Sequence, residues 1–263
     1  MRKVGRVSLV VPCYNEARRL NRAAFEQALT TMPWLDLCFV NDGSTDDTGA
    51  VLDAIRTAWP TRVRVESLAR NSGKAEAVRR GLLAVSADNA YCGFWDADLS
   101  APLTELVALR DVLTRFAHVE WVWGIRLRAL GRDVQRRALR HYLGRLFATC
   151  SSLLLNIDSY DTQCGAKLFA VTPLLQAVIA EPFRSRWIFD VEMLSRANAL
   201  LQFEGRRNAA SVVYEQPLAL WAHQAGSKVK PTDFVRALSE LLVVRGERAR
   251  WTRALPQTPP TVS

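Results

Sequence analysis

The chain has 263 residues, of which 49% are hydrophobic and 23% are charged, a balance typical of one globular domain or of one large domain with a tail. Its longest uncharged stretch, residues 168–180, is too short to span a bilayer. The formal net charge of +9 suits three kinds of anionic partner: a nucleic acid, an anionic membrane surface or a polyphosphate substrate.

Cysteine and histidine usage excludes a zinc framework. The five cysteines are scattered, odd in number and never spaced as C-x-x-C, and the three histidines lie far apart. This usage predicts reduced thiols in a cytoplasmic protein. Residues 1–11 include basic residues but no long apolar region with a small-residue cleavage site, so we do not expect a secretory signal there.

Apolar, β-branched runs alternate with helical patterns through the first hundred residues. The runs predict strands at residues 6–12, 35–40, 62–67 and 90–95. The segments between them predict helices at residues 17–31, 47–58 and 74–85. This rhythm predicts an α/β protein with a Rossmann-like, mostly parallel central sheet, flanked by helices and connected by right-handed crossovers.

A polar loop follows each of these four strands. The loops contain residues 14–16, 41–44, 71–74 and 96–98. Because the carboxyl ends of parallel strands meet at one edge of a sheet, all four loops are expected to open on the same edge. One polar loop carries little information, but four that converge predict a ligand site.

The second half of the chain is less regular. It predicts strands at residues 120–125, 161–169 and 211–214, a helix ending at residue 201, a polar loop at 221–230 and a last helix at 233–245. Between Arg126 and Arg145 there are seven arginines and one acid, Asp133. Apolar residues at helical spacing within residues 134–147 predict a basic amphipathic helix, which either packs on the core or lies on a membrane surface.

Two carboxylates one residue apart, Asp96 and Asp98, follow the apolar run that ends at Trp95. Adjacent carboxylates repel each other unless a cation lies between them. Oxygen ligands suit Mg²⁺ or Mn²⁺, and Mg²⁺ keeps several waters while binding substrate phosphates. The pair therefore predicts a site for a metal ion and a diphosphate; the simpler alternative is a solvated Asp-x-Asp turn.

Four motifs occur in order along the first part of the chain: V-P-C-Y-N-E at 11–16, N-D-G-S-T-D at 41–46, N-S-G-K at 71–74 and D-A-D at 96–98. Together they resemble the nucleotide-sugar half of the family 2 inverting glycosyltransferases, which have the GT-A fold. Three later segments are similar to the polyprenyl-phosphate (dolichyl-phosphate) glucosyl- and mannosyltransferases: D-T-Q-C-G-A-K at 161–167, F-D-V-E at 189–192 and residues 221–228. The resemblance covers roughly residues 5–245. We predict a GT-A glycosyltransferase domain over residues 1–232, followed over residues 233–263 by a C-terminal helix and a flexible tail, which the prolines place at residues 254–263.

The resemblance also implies a donor site. The residues that it assigns to a uridine or guanosine pocket are Pro12, Tyr14, Glu16 and Asp42. The alternative for each of them is a turn residue or a helix cap. Lys74 adds a cation to a helix N-terminus, which is a natural anion site, and so predicts contact with the diphosphate. We expect Asp98 to be the more direct metal ligand and Asp96 to contact ribose or a metal-bound water.

On the acceptor side, a phosphate monoester is already an anionic nucleophile near neutral pH, because its second pKa is about 6. It needs cations more than a general base. Arg126 matches an acceptor-phosphate arginine of the resembling branch, and Lys228 is a second candidate. Asp190 and Glu192 occupy the place where other family 2 enzymes keep a catalytic base, or they are helix-capping acids. Gly165 predicts a close backbone approach to the sugar.

These observations predict an inverting hexosyltransferase that uses UDP-glucose or GDP-mannose, Mg²⁺ or Mn²⁺, and a polyprenyl phosphate at the cytoplasmic face of a membrane that it contacts peripherally. Three alternatives remain. The same fold could act on a saccharide or protein hydroxyl, in which case Asp190 becomes essential. A nucleotidyltransferase would need a Gly- and Arg-rich N-terminal loop, which is missing. A nucleic-acid binder is disfavoured because the basic segment has few stacking aromatics.

Overall fold

The computed structural model describes residues 5–84, 89–127, 129–131, 133–134, 149, 151–152, 159–205, 208–222 and 232–254. Within these ranges the strands are β1 (Val7–Cys13), β2 (Leu35–Asn41), β3 (Val63–Ser67), β4 (Tyr91–Trp95), β5 (Trp121–Ile125), β6 (Asp133–Val134), β7 (Ala166–Ala170), β8 (Val213–Pro217) and β9 (Leu220–Trp221). The helices are α1 (Arg22–Thr31), α2 (Thr48–Ala58), α3 (Lys74–Leu83), α4 (Glu105–Arg115), α5 (Pro173–Ala180), α6 (Phe189–Phe203) and α7 (Thr232–Ala254), with a 3₁₀ turn at Ala209–Ser211.

Seven strands form the central sheet, in the order β3-β2-β1-β4-β7-β5-β8. All neighbours pair in parallel except that β7 is antiparallel to both β4 and β5. The mostly parallel α/β fold is therefore confirmed, with one reversed strand that the strand–helix rhythm does not predict. Strands β6 and β9 form a separate parallel pair.

Helices cover both faces of the sheet and divide the core into two apolar clusters. One cluster lies against α3, α5, α6 and α7 and includes Phe94 and Leu241. The other lies against α1, α2 and α4 and includes Phe25 and Leu106. Strand β1 is buried at six of its seven positions because it lies between the two clusters, as expected for a central parallel strand.

The last helix, α7, contributes to the core. Its residues Ala237, Leu241 and Val244 are buried in the first cluster. The helix begins at Thr232, next to the division that the sequence suggests at residue 232, and it extends to Ala254, nine residues beyond its predicted end. The predicted flexible tail after residue 254 lies outside the described residues. No described helix combines the length and the apolar character needed to cross a lipid bilayer.

Several element bounds differ from the sequence prediction for local reasons. The pattern does not predict α4 or α5. Helix α5 opens with Pro173, which fits a first turn because the N–H groups there have no partner within the helix, so the N–H that proline lacks costs no hydrogen bond. The Thr172 side chain caps the helix by accepting from the Leu175 amide at 3.4 Å. The strand predicted at residues 161–169 begins only at Ala166, after a turn. Helix α1 begins at Arg22 and not at residue 17.

Candidate active site

The four polar loops lie at one edge of the sheet, as predicted. The pairing register places Cys13 opposite Asn41 and Asn41 opposite Ser67, so β1, β2 and β3 end together. Strand β4 runs in the same direction and ends at Trp95, and the reversed β7 starts opposite it at Ala166. The loop before β7 therefore joins the same edge, which adds a fifth segment to the site.

Hydrogen bonds join the loop after β1 to the loop after β2. The Asn15 amide donates to Ser44 Oγ at 3.0 Å, and Asn15 Oδ1 accepts from the Thr45 amide at 2.9 Å. The Glu16 amide donates to Thr48 Oγ1 at 2.8 Å. Asn15 has φ +51°, a left-handed conformation that asparagine tolerates better than most residues. These two loops thus form one rigid wall of the edge.

Three of the four residues assigned to the nucleoside pocket lie along this wall: Pro12, Tyr14 and Glu16. Pro12 is the penultimate residue of β1 and is half-buried, and Tyr14 is 38% exposed beyond the strand end. Glu16 is buried, with Oε2 3.3 Å from Arg19 Nε. Tyr14 is therefore partly accessible at this edge, and the roles of the three residues in base binding stay predictions.

Asp42 anchors the start of α3. Its carboxylate accepts from the Ser72 amide at 2.7 Å and from the Gly73 amide at 2.9 Å, and its side chain is buried. Gly73 has φ +92°, a conformation that glycine adopts without strain. Asp42 therefore holds the loop that leads into α3 and does not accept from the amides of the helix itself, and its role at a nucleobase stays a prediction. Contact with a nucleobase would use its remaining lone pairs.

Lys74, the first residue of α3, reaches across the edge to the acidic pair. Its ammonium lies 2.5 Å from Asp96 Oδ1 and 5.8 Å from the centre of the Phe94 ring. Burial lowers the pKa of Lys74, but the negative charges of Asp96, Asp190 and Asp98 outweigh burial and raise it. Lys74 is therefore a fixed positive charge beside the carboxylates.

The backbone of the Asp96–Ser100 turn presents both carboxylates to the same edge. The Asp96 amide donates to the Gly165 carbonyl oxygen at 2.9 Å, and Asp98 Oδ1 accepts from the Ser100 amide at 3.0 Å. Leu99 holds φ +50° within this turn. Both carboxylates remain partly exposed.

Gly165 makes room for the Asp96 carboxylate, and its expected approach to the sugar stays a prediction. A Cβ atom built at Gly165 would lie 2.0 Å from Asp96 Oδ2, a distance that no real contact allows. The close approach is therefore between the turn before β7 and the Asp96 carboxylate. The sequence indicated that a glycine was needed here, but only the reversed β7 shows what it accommodates.

Arg126, directly after β5, is held by Asp161. Its Nε and Nη2 donate to the two carboxylate oxygens at 2.6 and 2.7 Å. Its guanidinium also lies 5.5 Å from the centre of the Trp221 ring. Burial lowers the pKa of Arg126, but Asp161 outweighs burial and raises it. Asp161 begins the D-T-Q-C-G-A-K segment, but the sequence analysis assigned it no role at the site.

Asp190 lies beneath the acidic pair. It is 3% exposed, and its Oδ1 is 2.8 Å from the ammonium of the fully buried Lys167. Lys167 Nζ directs hydrogen bonds to the carbonyl oxygens of Thr162 and Cys164 at 2.9 and 2.5 Å. Burial raises the pKa of Asp190 more than the two lysines lower it. This buried ion pair connects β7, the turn before it and the start of α6.

Glu192, one turn along α6, braces the neighbouring loop. Its oxygen atoms accept from the Ser185 amide and hydroxyl at 2.8 Å each, from the Arg184 amide at 3.1 Å and from Arg196 Nη2 at 2.7 Å. Each carboxylate oxygen is thus engaged inside the protein. Glu192 is therefore a structural acid, and of the two acids in F-D-V-E only Asp190 lies beside the site charges.

The acidic pair fits a divalent metal ion that is completed by substrate. Nowhere in the described ranges do three histidine, cysteine or acidic side chains cluster in a way that could hold a metal alone. Two partly exposed carboxylates at a shared turn match the way Mg²⁺ is bound, by one or two carboxylates together with phosphates and water. Lys228 and residues 135–147 of the predicted amphipathic helix lie outside the described residues, while Val134, where that helix was predicted to begin, belongs to β6.

The fold defines the class of the protein. The chain superposes on glucosyl-3-phosphoglycerate synthase from Mycobacterium tuberculosis with a TM-score of 0.66 at 19% identity, over 93% of this chain and 80% of that one. A structure of that synthase with Mn²⁺ and UDP-glucose gives a TM-score of 0.67 at 20% identity, over 92% and 79% of the two chains. The fold is that of the GT-A glycosyltransferases.

Sequence similarity then gives the family. Residues 8–154, more than half of the chain, match Glycosyl transferase family 2, and the chain belongs to this family, as its motifs suggested. It is 28% identical over 238 residues to a dolichyl-phosphate beta-glucosyltransferase of Dictyostelium discoideum, covering 86% of this chain and 69% of the relative. It is 30% identical over 248 residues to the Drosophila melanogaster protein of the same name, with the same coverage.

Proposed function

We propose that this glycosyltransferase moves one hexose from a nucleotide sugar to a polyprenyl phosphate, with inversion and with the help of a divalent metal ion. The observation that carries the proposal is the meeting of Lys74, Asp96 and Asp98 at the edge that also holds Arg126. Lys74, a cation at a helix start, suits a diphosphate. The acidic pair suits a metal ion, and Arg126, the second cation, suits an acceptor phosphate.

The donor occupies the wall formed by the loops after β1, β2 and β3. Tyr14 offers an aromatic face, and the α3 N-terminus, fixed by Asp42, offers positive charge where Lys74 begins the helix. Asp96 and Asp98 are the residues that would hold the metal ion. When bound, this ion offsets the charge that develops on the departing nucleoside diphosphate.

The acceptor phosphate binds beside Arg126. Asp161 fixes the guanidinium in a bidentate pair, and the centre of the Trp221 ring lies 5.5 Å from it. An acceptor oxygen then attacks the anomeric carbon, while the bond from that carbon to the diphosphate breaks and its electron pair leaves with the nucleoside diphosphate. Near neutral pH the acceptor is already anionic, so no protein base is required.

The burial of Asp190 supports a phosphate acceptor over a hydroxyl acceptor. A general base must be within hydrogen-bond reach of the proton that it removes. Asp190 is 3% exposed and is paired with a lysine that is fully buried. This position suits a structural ion pair better than a base that contacts a hydroxyl group of the substrate.

The named relatives favour a glucosyl donor. Dolichyl-phosphate beta-glucosyltransferases of Dictyostelium discoideum, Drosophila melanogaster and Mus musculus match 86–91% of the chain. The glucosyl-3-phosphoglycerate synthase that shares the fold was solved with UDP-glucose. We therefore propose UDP-glucose as the donor and keep GDP-mannose as the alternative.

The function is tested by incubating the purified chain with Mn²⁺, a polyprenyl phosphate and either UDP-glucose or GDP-mannose, and then identifying the lipid product by mass spectrometry. We expect a polyprenyl phosphate that has gained one hexose, with UDP-glucose as the better donor, and no product from the Asp98→Ala variant. Equal turnover by that variant and the parent chain would overturn the proposed site.

The acceptor class is tested with Asp190→Asn, which keeps the shape of the side chain and an oxygen that can accept from Lys167. We expect kcat for the polyprenyl phosphate to stay within a factor of about three once activity is divided by the folded fraction. A loss of about 10²-fold or more, the size expected for a general base, would favour a saccharide or protein hydroxyl as the acceptor.

We also propose that the protein contacts its lipid at the surface of an anionic membrane, on the cytoplasmic side. Its net charge of +9 supports this. Flotation with vesicles containing anionic lipid should recover the protein at low salt and lose it at high salt. Equal flotation with neutral vesicles, or none with either, would contradict the electrostatic contact.

A further inference from the structure

Residues 184–188, which precede α6, are fixed from two sides by carboxylates, the buried Glu192 and the partly buried Glu240. Glu192 accepts from the amides of Arg184 and Ser185. Glu240 of α7 accepts from the amides of Trp187 and Ile188 at 2.9 and 3.2 Å. The residue between these two anchors, Arg186, is therefore held at a defined backbone position while its side chain stays exposed.

The Arg186 side chain extends over the start of α3. Its Nη2 lies 3.5 Å from the Ser72 carbonyl oxygen. A Cβ atom built at Gly73 would lie 3.7 Å from its Nε and 3.8 Å from its Nη2. The guanidinium is thus placed one residue from Lys74, beside the helix start that Asp42 fixes.

Arg186 has no carboxylate partner among the described residues, in contrast to Arg126 and Arg196. Arg126 is paired with Asp161 and Arg196 with Glu192. The one hydrogen bond of Arg186 within the described ranges is the long contact to Ser72. An arginine that is anchored by its backbone, placed beside another cation and unpaired is suited to an anionic ligand.

The position of Arg186 favours the donor over the acceptor. It lies against the loop after β3, on the side of β4 where β1, β2 and β3 end. Arg126 follows β5, which lies beyond β7 on the other side of β4. The acidic pair, at the end of β4, separates these two arginines. Arg186 therefore faces the nucleotide half of the site.

We infer that Arg186 binds the diphosphate of the nucleotide donor, as a second cation beside Lys74 at the start of α3. The inference rests on the proposed function and adds to it a donor residue that no sequence motif had indicated. Because the contact is charge-assisted, we expect its loss to weaken diphosphate binding by about tenfold, which corresponds to one such hydrogen bond.

The test compares UDP with uridine, which lacks the diphosphate, by isothermal titration calorimetry in the presence of Mn²⁺. The variants are Arg186→Ala, Arg186→Lys and Arg184→Ala. Arg184 is a matched control because it lies two residues away, is 57% exposed and points to Glu247 at 3.9 Å. We expect Arg186→Ala to lose about tenfold in UDP affinity, Arg186→Lys to retain part of it, and Arg184→Ala to match the parent chain.

Uridine affinity separates the possible outcomes. An equal loss for UDP and uridine would place Arg186 at the nucleoside and overturn the inference. Unchanged UDP binding in Arg186→Ala, with a raised KM for the polyprenyl phosphate, would assign the residue to the acceptor and also overturn it. If the parent chain binds no nucleoside diphosphate, the inference and the proposed function both fail. If it binds UDP and Arg186→Ala binds equally well, only the inference fails.

Discussion

Single side chains at the carboxyl edge are placed by contacts that leave little freedom. The Asp96 carboxylate fits against Gly165 because that residue has no side chain, and it meets the Lys74 ammonium on its other oxygen. The reacting groups of an enzyme must be held closely, since misplacement by about 1 Å can cost about 10²-fold in rate. The absence of a methyl group at residue 165 is therefore expected to matter for activity.

We predict that Gly165→Ala reduces kcat/KM by about 10²-fold, because its Cβ atom would displace the Asp96 carboxylate. The matched control is Gly246→Ala, in α7, where an added Cβ meets nothing within 4 Å. That control should keep its activity and gain about 0.5–1 kcal/mol in the free energy of unfolding. Steady-state kinetics and thermal unfolding provide the measurements, and full activity of Gly165→Ala would contradict the prediction.

At the scale of the element, three carboxylates act on backbone amides at the starts of helices or in the loops that lead to them. Asp42 accepts from the loop before α3, while Glu192 and Glu240 accept from the segment before α6. The Ser185 amide is buried and the others are partly buried, and an unsatisfied buried group costs about 1–3 kcal/mol. These acids therefore set where the site helices begin.

We predict that Asp42→Ala lowers the free energy of unfolding by about 1–2 kcal/mol and weakens UDP binding, because the amides of Ser72 and Gly73 lose their acceptor. Asp47→Ala is the control. Asp47 stands at the N-cap position of α2 but makes no capping hydrogen bond with its side chain. Urea unfolding should show no measurable change for the control. The same loss in both variants would mean that removal of any acid has this effect.

The buried pair of Lys167 and Asp190 joins β7 to α6. Removing one partner of a buried ion pair costs about 3–5 kcal/mol, because the other charge stays in the core. We predict a loss of this size for Lys167→Met at pH 8. The control is Asp53→Asn, whose partner Arg56 lies 3.1 Å away on the surface of α2, where both side chains are more than half exposed. This variant should unfold like the parent chain.

The pH dependence of the Lys167→Met variant follows from the pKa of Asp190, which burial raises above the ordinary 3.8. The folded state then binds this proton more tightly than the unfolded state, so the free energy of unfolding falls as the pH rises above 3.8 towards the raised pKa. Lys167 lowers the pKa of Asp190, so without Lys167 this pKa rises further and the free energy of unfolding falls by more over the same pH range. We therefore expect Lys167→Met to be less destabilised at pH 5 than at pH 8, and a loss independent of pH would contradict this account.

For the whole molecule, the site is assembled from segments that are far apart in the chain. Each half of the sheet supplies one part: β1, β2 and β3 supply the wall proposed for the nucleotide, and β5 with the turn before β7 supplies Arg126 and Asp161. At the proposed metal position the described residues provide two carboxylates, without a third histidine, cysteine or acidic side chain to complete a site. A metal ion there would depend on phosphate oxygens and water for its remaining ligands.

We predict that Mn²⁺ and UDP stabilise the protein jointly. Either one alone should shift the melting temperature only slightly, whereas both together should shift it by more than the sum, since each supplies ligands or charge that the other needs. Thermal scans of the parent chain and of Asp98→Asn measure this, and the variant should lose the joint effect. A full shift with Mn²⁺ alone would indicate a complete protein metal site elsewhere.

The sequence by itself determined the strand–helix alternation, the common edge of four polar loops and the family. These features depend on residue spacing over a few positions, and a pattern of that length can be recognised without knowing what packs against it. Asp96, Asp98 and Lys74 were found in this way, and the structure brings them together. Helix α5 was missed because a proline in an apolar run indicates a break as readily as a first turn.

Only the tertiary structure decided which partner each charged group has. Asp42 meets amides about 30 positions away, and Arg126 meets Asp161, 35 positions away. The reversed direction of β7 places Gly165 against Asp96 and Lys167 against Asp190. Such pairings depend on strand order and direction, which local periodicity does not encode, because the same spacing is compatible with either direction of a buried strand.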